Sequence, residues 1–320
     1  MGGRGPAGVS FFIILSGFVL SLGYFEKIKK REFDLKKFML KRVIRVYPLH
    51  LLTLLVFIAF FCIKFNLKEW ISLLPNSMLL QSWLPLKSIY FSGNGVSWCL
   101  CDLLFFYAIF PFIGRMIDRN VNKSTIYFLC IICVYLVCVY FIPTGRVRYF
   151  VYICPLTRLI DFSIGVFLYV WCQKFSKTRV QKKLDLLSFK RKTLLEILAI
   201  IPIIIALTLY NKILPQYSYG SLFWLPIIIL IIVLLVTKSG GVNVCLSNKY
   251  LVKFGEFSFT IYMIHQLFMK ISDLLLKYFD FYLHQGLRFI LYFVLVIFIS
   301  YFVFKYIETP ISNKLKHYIK

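Results

Sequence analysis

The chain has 320 residues, of which 60% are hydrophobic and 19% aromatic, with a mean hydropathy of +0.79 and a formal net charge of +25. A soluble domain is closer to half apolar, and the excess here comes in blocks separated by short charged stretches, which excludes a water-soluble enzyme. Nor does the positive charge indicate nucleic acid, because Lys and Arg concentrate in alternate loops.

Each apolar block has about the 20 residues that a helix needs to cross hydrocarbon. In that solvent the backbone must satisfy itself, so the blocks read as helices and the fold as an all-α, polytopic membrane bundle. Nine spans are predicted, at about 7–24, 49–65, 95–114, 124–142, 152–172, 194–210, 220–237, 255–273 and 286–306. Residues 66–94, with Trp70, Pro75, Trp83 and Pro85 among scattered polar residues, read as a loop on the membrane surface. Trp98, Trp171 and Trp224 fall near span ends, where amphipathic rings sit. Cys62, Cys130, Cys133, Cys138 and Cys172 lie within apolar blocks and read as small packing residues. The Cys130–Cys133 pair has no second pair at metal spacing, so no metal is expected. With no soluble segment apparent, 1–320 reads as one membrane-embedded domain.

Charge sets the topology. The loop after the first span carries Lys27, Lys29, Lys30, Arg31, Lys36, Lys37, Lys41, Arg42 and Arg45, and the one after the fifth is equally basic. Intervening loops are poorer in Lys and Arg. The positive-inside rule then places the C-terminus, with Lys314, Lys316 and Lys320, in the cytoplasm. Nine spans would leave the short segment Met1–Ala7 outside, an arrangement that one further helix upstream would repair.

Ionisable residues inside spans are costly and mark candidate sites. They are Asp102 in the third span, Arg158 and Asp161 at i,i+3 in the fifth, and His265 in the eighth, one turn after Tyr262 and two after Ser258. An internal ion pair and a functional pair both fit Arg158 and Asp161. A packing histidine and a functional one both fit His265, and interfacial water or a site fits Asp102. Arg42 and Arg45 share a helix face at a span start, where guanidinium forks suit phosphate oxygens. Ordinary positive-inside retention or anionic lipid also explains them.

Six segments, taken in order, resemble the acyltransferase-3 family of bacterial integral-membrane acyltransferases. They are Gly8-Val9 through Phe11-Phe12 to Ser16-Gly17-Phe18; Arg42, Arg45 and Pro48; Ser97-Trp98-Cys99-Leu100 with Phe106-Tyr107 and Pro111; Arg158, Asp161 and Gly165; Gly255, Ser258, Tyr262 and His265; and Glu308 with Pro310. The resemblance implies transfer of an acyl group, most simply acetyl, from cytoplasmic acyl-CoA to a hydroxyl of an envelope or surface polysaccharide or a lipid-linked sugar. It places Arg42 and Arg45 on the donor, with Asp102, Arg158, Asp161, Ser258, Tyr262, His265 and Glu308 as lining or scaffold residues. The implied partners are acyl-CoA (acetyl-CoA), the sugar acceptor and membrane lipids, without nucleic acid, in the bacterial cytoplasmic membrane.

Two departures accompany the resemblance. The family begins with a helix bearing an arginine and the histidine taken as base, and that helix has no counterpart in the segments above. The chain is therefore expected to be an N-terminal truncation, inactive as given, with His265 and Asp102 the remaining candidates for the base. The family's glutamate aligns with Leu103, and Asp102 is displaced by one residue, about 100° of helix rotation. A polysaccharide flippase or polymerase, and a non-catalytic remnant, stay open as alternatives.

Overall fold

A computed structural model describes residues 5–62, 65–176, 178–210, 212–280, 282 and 284–318. The first four residues and Lys320 lie outside the described residues. Among the described residues all regular structure is helical. The main helices are α1 (Gly5–Lys29), α2 (Leu35–Phe61), α3 (Leu67–Ser77), α4 (Trp98–Arg119), α5 (Val121–Tyr140), α6 (Pro155–Phe175), α7 (Phe189–Leu209), α8 (Ser221–Thr237), α9 (Ser258–Tyr278), α10 (Gln285–Val303) and α11 (Thr309–His317).

All nine predicted spans fall on helices, and among the described residues seven helices are long and apolar enough to cross a membrane. The two others differ for separate reasons. Helix α8 is apolar but too short for that length test, and α9 carries Lys270, Asp273 and Lys277 in its second half. The chain is thus a polytopic membrane protein, and its helices follow local sequence signals. Asp34 caps α2 by accepting from the Lys37 amide. Asn66 and Glu69 form a reciprocal capping box on α3. Asn120 caps α5, and Pro155 opens α6, where its missing N–H has no helical acceptor to lose.

The helices cluster into two compact units. The first, residues 1–33 and 105–251, is organised by α1 against α6. Gly17 and Gly165 let these backbones touch. A Cβ on Gly17 would lie 2.2 Å from the Phe162 carbonyl oxygen, and one on Gly165 would lie 1.9 Å from that of Ile14. Small residues at such crossings are how membrane helices gain van der Waals contact without a hydrophobic drive. Phe106 stacks on Phe162 and Phe128 on Phe167 behind the crossing. Helix α5 buries Ser124, Phe128 and Val139, while Cys130, Cys133 and Cys138 face outward and do not pack in this unit. In the same unit the buried Glu196 carboxylate accepts from Thr237 Oγ1 at 2.6 Å, the Gly240 amide at 3.1 Å and the Val242 amide at 2.8 Å.

The second unit comprises residues 34–104 and 252–320. Residues 66–94, expected as a surface loop, are helical in part and buried in part. Trp70 and Trp83 remain partly exposed, but Asn76, Gln81, Ser82, Asn94 and Ser97 are buried within the unit. The Tyr47 hydroxyl donates to the Ser77 carbonyl, and His50 Nε2 to that of Asn76 at 2.9 Å. His50 lies 61 − 50 = 11 residues before the end of α2, about 16 Å along its axis. The segment therefore folds back along α2. Non-helical backbone is tolerated at such depth only when protein satisfies it, and side chains do so here. At the turn, Leu79 takes φ +55° and Gly93 φ +60°, the latter against Leu54 and Asn76.

Candidate functional site

In the second unit the site is built on α2, on the infolded segment and on α9. Arg42 is half-buried with its guanidinium over the Phe38 ring, 5.0 Å from the centroid. Arg45, one turn later, is exposed. Stacking fixes the plane of the Arg42 guanidinium. Glu308 lies in the π-turn that joins α10 to α11 and accepts from the buried Thr260 hydroxyl at 2.5 Å, with Arg45 and Lys316 supplying nearby positive charge.

Helix α9 packs its Tyr262–Gln266 face on the turn before α4. Tyr262 donates to the Val96 carbonyl at 2.9 Å, and Asn94 Nδ2 to the Met263 carbonyl at 2.7 Å. Ser97 knits the turn together: its hydroxyl donates to the Asn94 carbonyl and accepts from Asn76 Nδ2 at 3.1 Å and Gln81 Nε2 at 3.2 Å. One hydroxyl oxygen thus orients two amides. Asp102, one turn into α4, is fully buried.

His265 is half-buried, and its Nδ1 lies 2.7 Å from the Tyr262 carbonyl. A carbonyl only accepts, so Nδ1 carries the proton and the neutral ring keeps its lone pair on Nε2. His50 has the opposite tautomer, held by Asn76, with Nδ1 buried and without a protein partner. Ser258 is exposed and donates back to the Gly255 carbonyl, the ordinary behaviour of a serine at a helix start.

The first unit holds the other candidates. Arg158 is 1% exposed, and its Nη1 lies 2.6 Å from Asp161 Oδ2 and 3.2 Å from Ser10 Oγ. Asp161 also accepts from the Trp224 indole at 2.5 Å, and the Tyr152 ring covers the guanidinium at 5.6 Å. Both Trp224 and Trp98 are buried, which sets them apart from interfacial tryptophans, and Trp224 packs on Tyr135 in the first unit. Charge compensation, an indole donor and a covering ring support the Arg158–Asp161 pair, while Arg158 Nε and Nη2 keep no protein acceptor.

The predicted residues therefore fall in two groups. Arg42, Arg45, Asp102, Ser258, Tyr262, His265 and Glu308 belong to the second unit, and Arg158 with Asp161 to the first. Sequence reading missed Asn76, Gln81 and Asn94, named Ser97 only within the Ser97–Leu100 segment, and missed Ser10 and Trp224 as partners of the ion pair. The available signal was amide and hydroxyl side chains inside an otherwise apolar stretch.

Comparison with known proteins bears on this arrangement. A family model described as an acyltransferase domain matches residues 3–305, and so spans both units. The acyltransferase MdmB of Streptomyces mycarofaciens is 25% identical over 283 residues, covering 82% of this chain and 67% of that protein. No solved structure matches. With a family model running over nearly all of its length, and an arginine pair, a buried carboxylate and a tautomer-fixed histidine set in apolar helices, the chain belongs to the acyltransferase-3 family of membrane acyltransferases.

Proposed function

We propose that the chain transfers an acyl group, acetyl in the simplest case, from acyl-CoA to a hydroxyl of an envelope or surface carbohydrate. The observation that carries this reading is the Arg42–Arg45 pair at successive turns of α2, one stacked and half-buried, the other exposed. Such a pair suits the phosphates of CoA, since planar forks engage phosphate oxygens in two directions. Membership of an acyltransferase family supports the reaction class. The charge pattern of the loops supports a bacterial cytoplasmic-membrane location with the C-terminus and the arginine pair on the cytoplasmic side.

In this reading the thioester carbonyl is attacked by the acceptor hydroxyl oxygen. The C–S bond breaks, the ester C–O bond forms, and CoA leaves as its thiol after taking a proton. A base that removes the hydroxyl proton contributes about 10²–10⁴ in rate. His265 Nε2 is the group with the right tautomer for that role, and Asp102 is the second candidate. Residues 1–320 act as one acyltransferase domain in this account.

The test is transfer of labelled acetyl from acetyl-CoA in membranes carrying the chain, compared with Arg42→Gln and Arg45→Gln. Label appearing in carbohydrate and reduced in both variants at subsaturating acetyl-CoA supports the reading. Transfer that ignores both arginines removes their donor role, and membranes that transport lipid-linked sugar without consuming acetyl-CoA replace the whole reading with a carrier.

A further inference from the structure

Four helix ends of the first unit enclose a cavity of about 390 Å³, within the range of small-molecule pockets. Its floor is Phe25 of α1 with Tyr169 and Val170 of α6, all buried. Around the rim stand Glu26 and Lys29 from the end of α1, Asp118 from the end of α4 and Lys174 from the end of α6. The whole chain has 38 basic residues against 13 acidic ones, so two carboxylates facing two ammonium groups is not what composition alone would deliver. Among the described residues the ion pairs within 4.0 Å are Arg158–Asp161, Lys238–Asp185 and Arg288–Asp273. None of the four rim charges belongs to them. No two of them pair within 4.0 Å, so the rim presents both signs of charge to a ligand.

Position narrows the ligand further. Each rim residue lies in the last two turns of a helix long and apolar enough to span, so the cavity opens where chain leaves hydrocarbon. Trp171, beside the floor residue Val170, is half-buried with its indole donating to Thr125 Oγ1 at 3.3 Å, a ring suited to the headgroup layer.

We propose that this crevice binds the headgroup of a phospholipid bearing a primary amine. The phosphate would lie between Lys29 and Lys174, the ammonium between Glu26 and Asp118, and the glycerol carbons on Phe25, Tyr169 and Val170. An anionic lipid without an amine leaves both carboxylates facing its phosphate. A choline headgroup offers them no N–H to accept. The proposal does not depend on the acyl-transfer reading.

Native mass spectrometry of the purified full chain, titrated with phosphatidylethanolamine, phosphatidylcholine and phosphatidylglycerol of matched acyl chains, tests it. The expected result is about tenfold stronger retention of phosphatidylethanolamine than of either other lipid. Asp118→Asn and Lys174→Gln, both at exposed rim positions, should each lower that retention to the phosphatidylcholine level with unchanged thermal unfolding. Equal retention of all three lipids overturns the proposal, as does phosphatidylethanolamine binding that survives both substitutions. Preference for phosphatidylglycerol assigns the crevice to an anionic lipid and overturns it too.

Discussion

Replacing Gly165 by alanine should unlock the first unit. The new Cβ would sit 1.9 Å from the Ile14 carbonyl oxygen and 2.8 Å from the Phe18 amide nitrogen. Ordinary van der Waals contact begins near 3.4 Å, so α1 and α6 must part by about 1.5 Å locally. Both offending atoms are backbone and cannot rotate away. Overpacking a core by one methyl costs about 1–3 kcal/mol when side chains can yield, so a value at or above the top of that range is expected here. A gap of that size also forfeits a large share of the dispersion contact along the crossing. Gly8 and Gly23, on the same helix α1, provide the control, since a Cβ at either meets nothing within 4 Å. Alanine there should be neutral or stabilising by up to about 1 kcal/mol from helix propensity. The assay is thermal unfolding of detergent-purified protein, with Gly17→Ala as a second crowded site at 2.2 Å from the Phe162 oxygen. The reasoning is refuted if Gly165→Ala unfolds with wild-type stability, or if Gly8→Ala is as destabilised as Gly165→Ala.

Four further outcomes follow from the same contacts. Arg45→Gln should raise KM for the CoA donor by about tenfold with little change in kcat, because a phosphate contact made equally in ground and transition states affects binding alone; a kcat effect with KM constant would contradict this. Asp161→Asn leaves Arg158 as a buried, uncompensated cation, so a loss of about 3–5 kcal/mol or failure to accumulate in membranes is expected, measured by yield and unfolding. Thr237→Val removes one donor from the buried Glu196 carboxylate and should cost about 1–3 kcal/mol, where an unchanged melting temperature would argue against that network. Outside the spans, the Gln181 amide and then Lys238 hold the Asp185 carboxyl below its ordinary value. A depressed folded pKa means the contact with Lys238 persists above the ordinary carboxylate value and is lost as pH falls through the lowered one; a carboxyl titration by NMR at the usual value would contradict it.

The helices were legible in the sequence because bilayer thickness fixes their length, and every predicted span overlaps one, although α2 begins at Leu35 where the span was placed from 49. Counting them was harder at the ends of the scale. Helix α8 is short, and α9 mixes Lys270, Asp273 and Lys277 into a spanning length. Partial burial within the segment 66–94 was not legible for a physical reason: Asn76, Gln81 and Ser82 suggest water, yet they donate to Ser97, Ser92 and the backbone. Composition reports polarity and not its partner. The same limit applies to Trp98 and Trp224, whose rings occur at span ends in either environment. Among the site residues, Arg158 with Asp161 could be paired from the i,i+3 spacing alone. Their partners Ser10 and Trp224 could not, because the hydrogen bonds cross separations of 148 and 63 residues. The tautomer of His265 is local, set three residues back on its own helix, but it depends on a rotamer that sequence does not specify.

The infolded segment carries a consequence for biosynthesis. Asn94 and Tyr262 close it against α9 through bonds spanning 169 and 166 residues. At about 5–20 residues per second, the polar turn leaves the ribosome roughly 10–30 seconds before the helix that covers it. During that interval the Asn94 side-chain amide and the Val96 carbonyl lack their α9 partners and must turn to water, lipid headgroups or an insertion chaperone. Burial of the turn is therefore a late step of assembly, and a chain stopped before Ser258 would present an uncovered polar loop for membrane quality control to recognise.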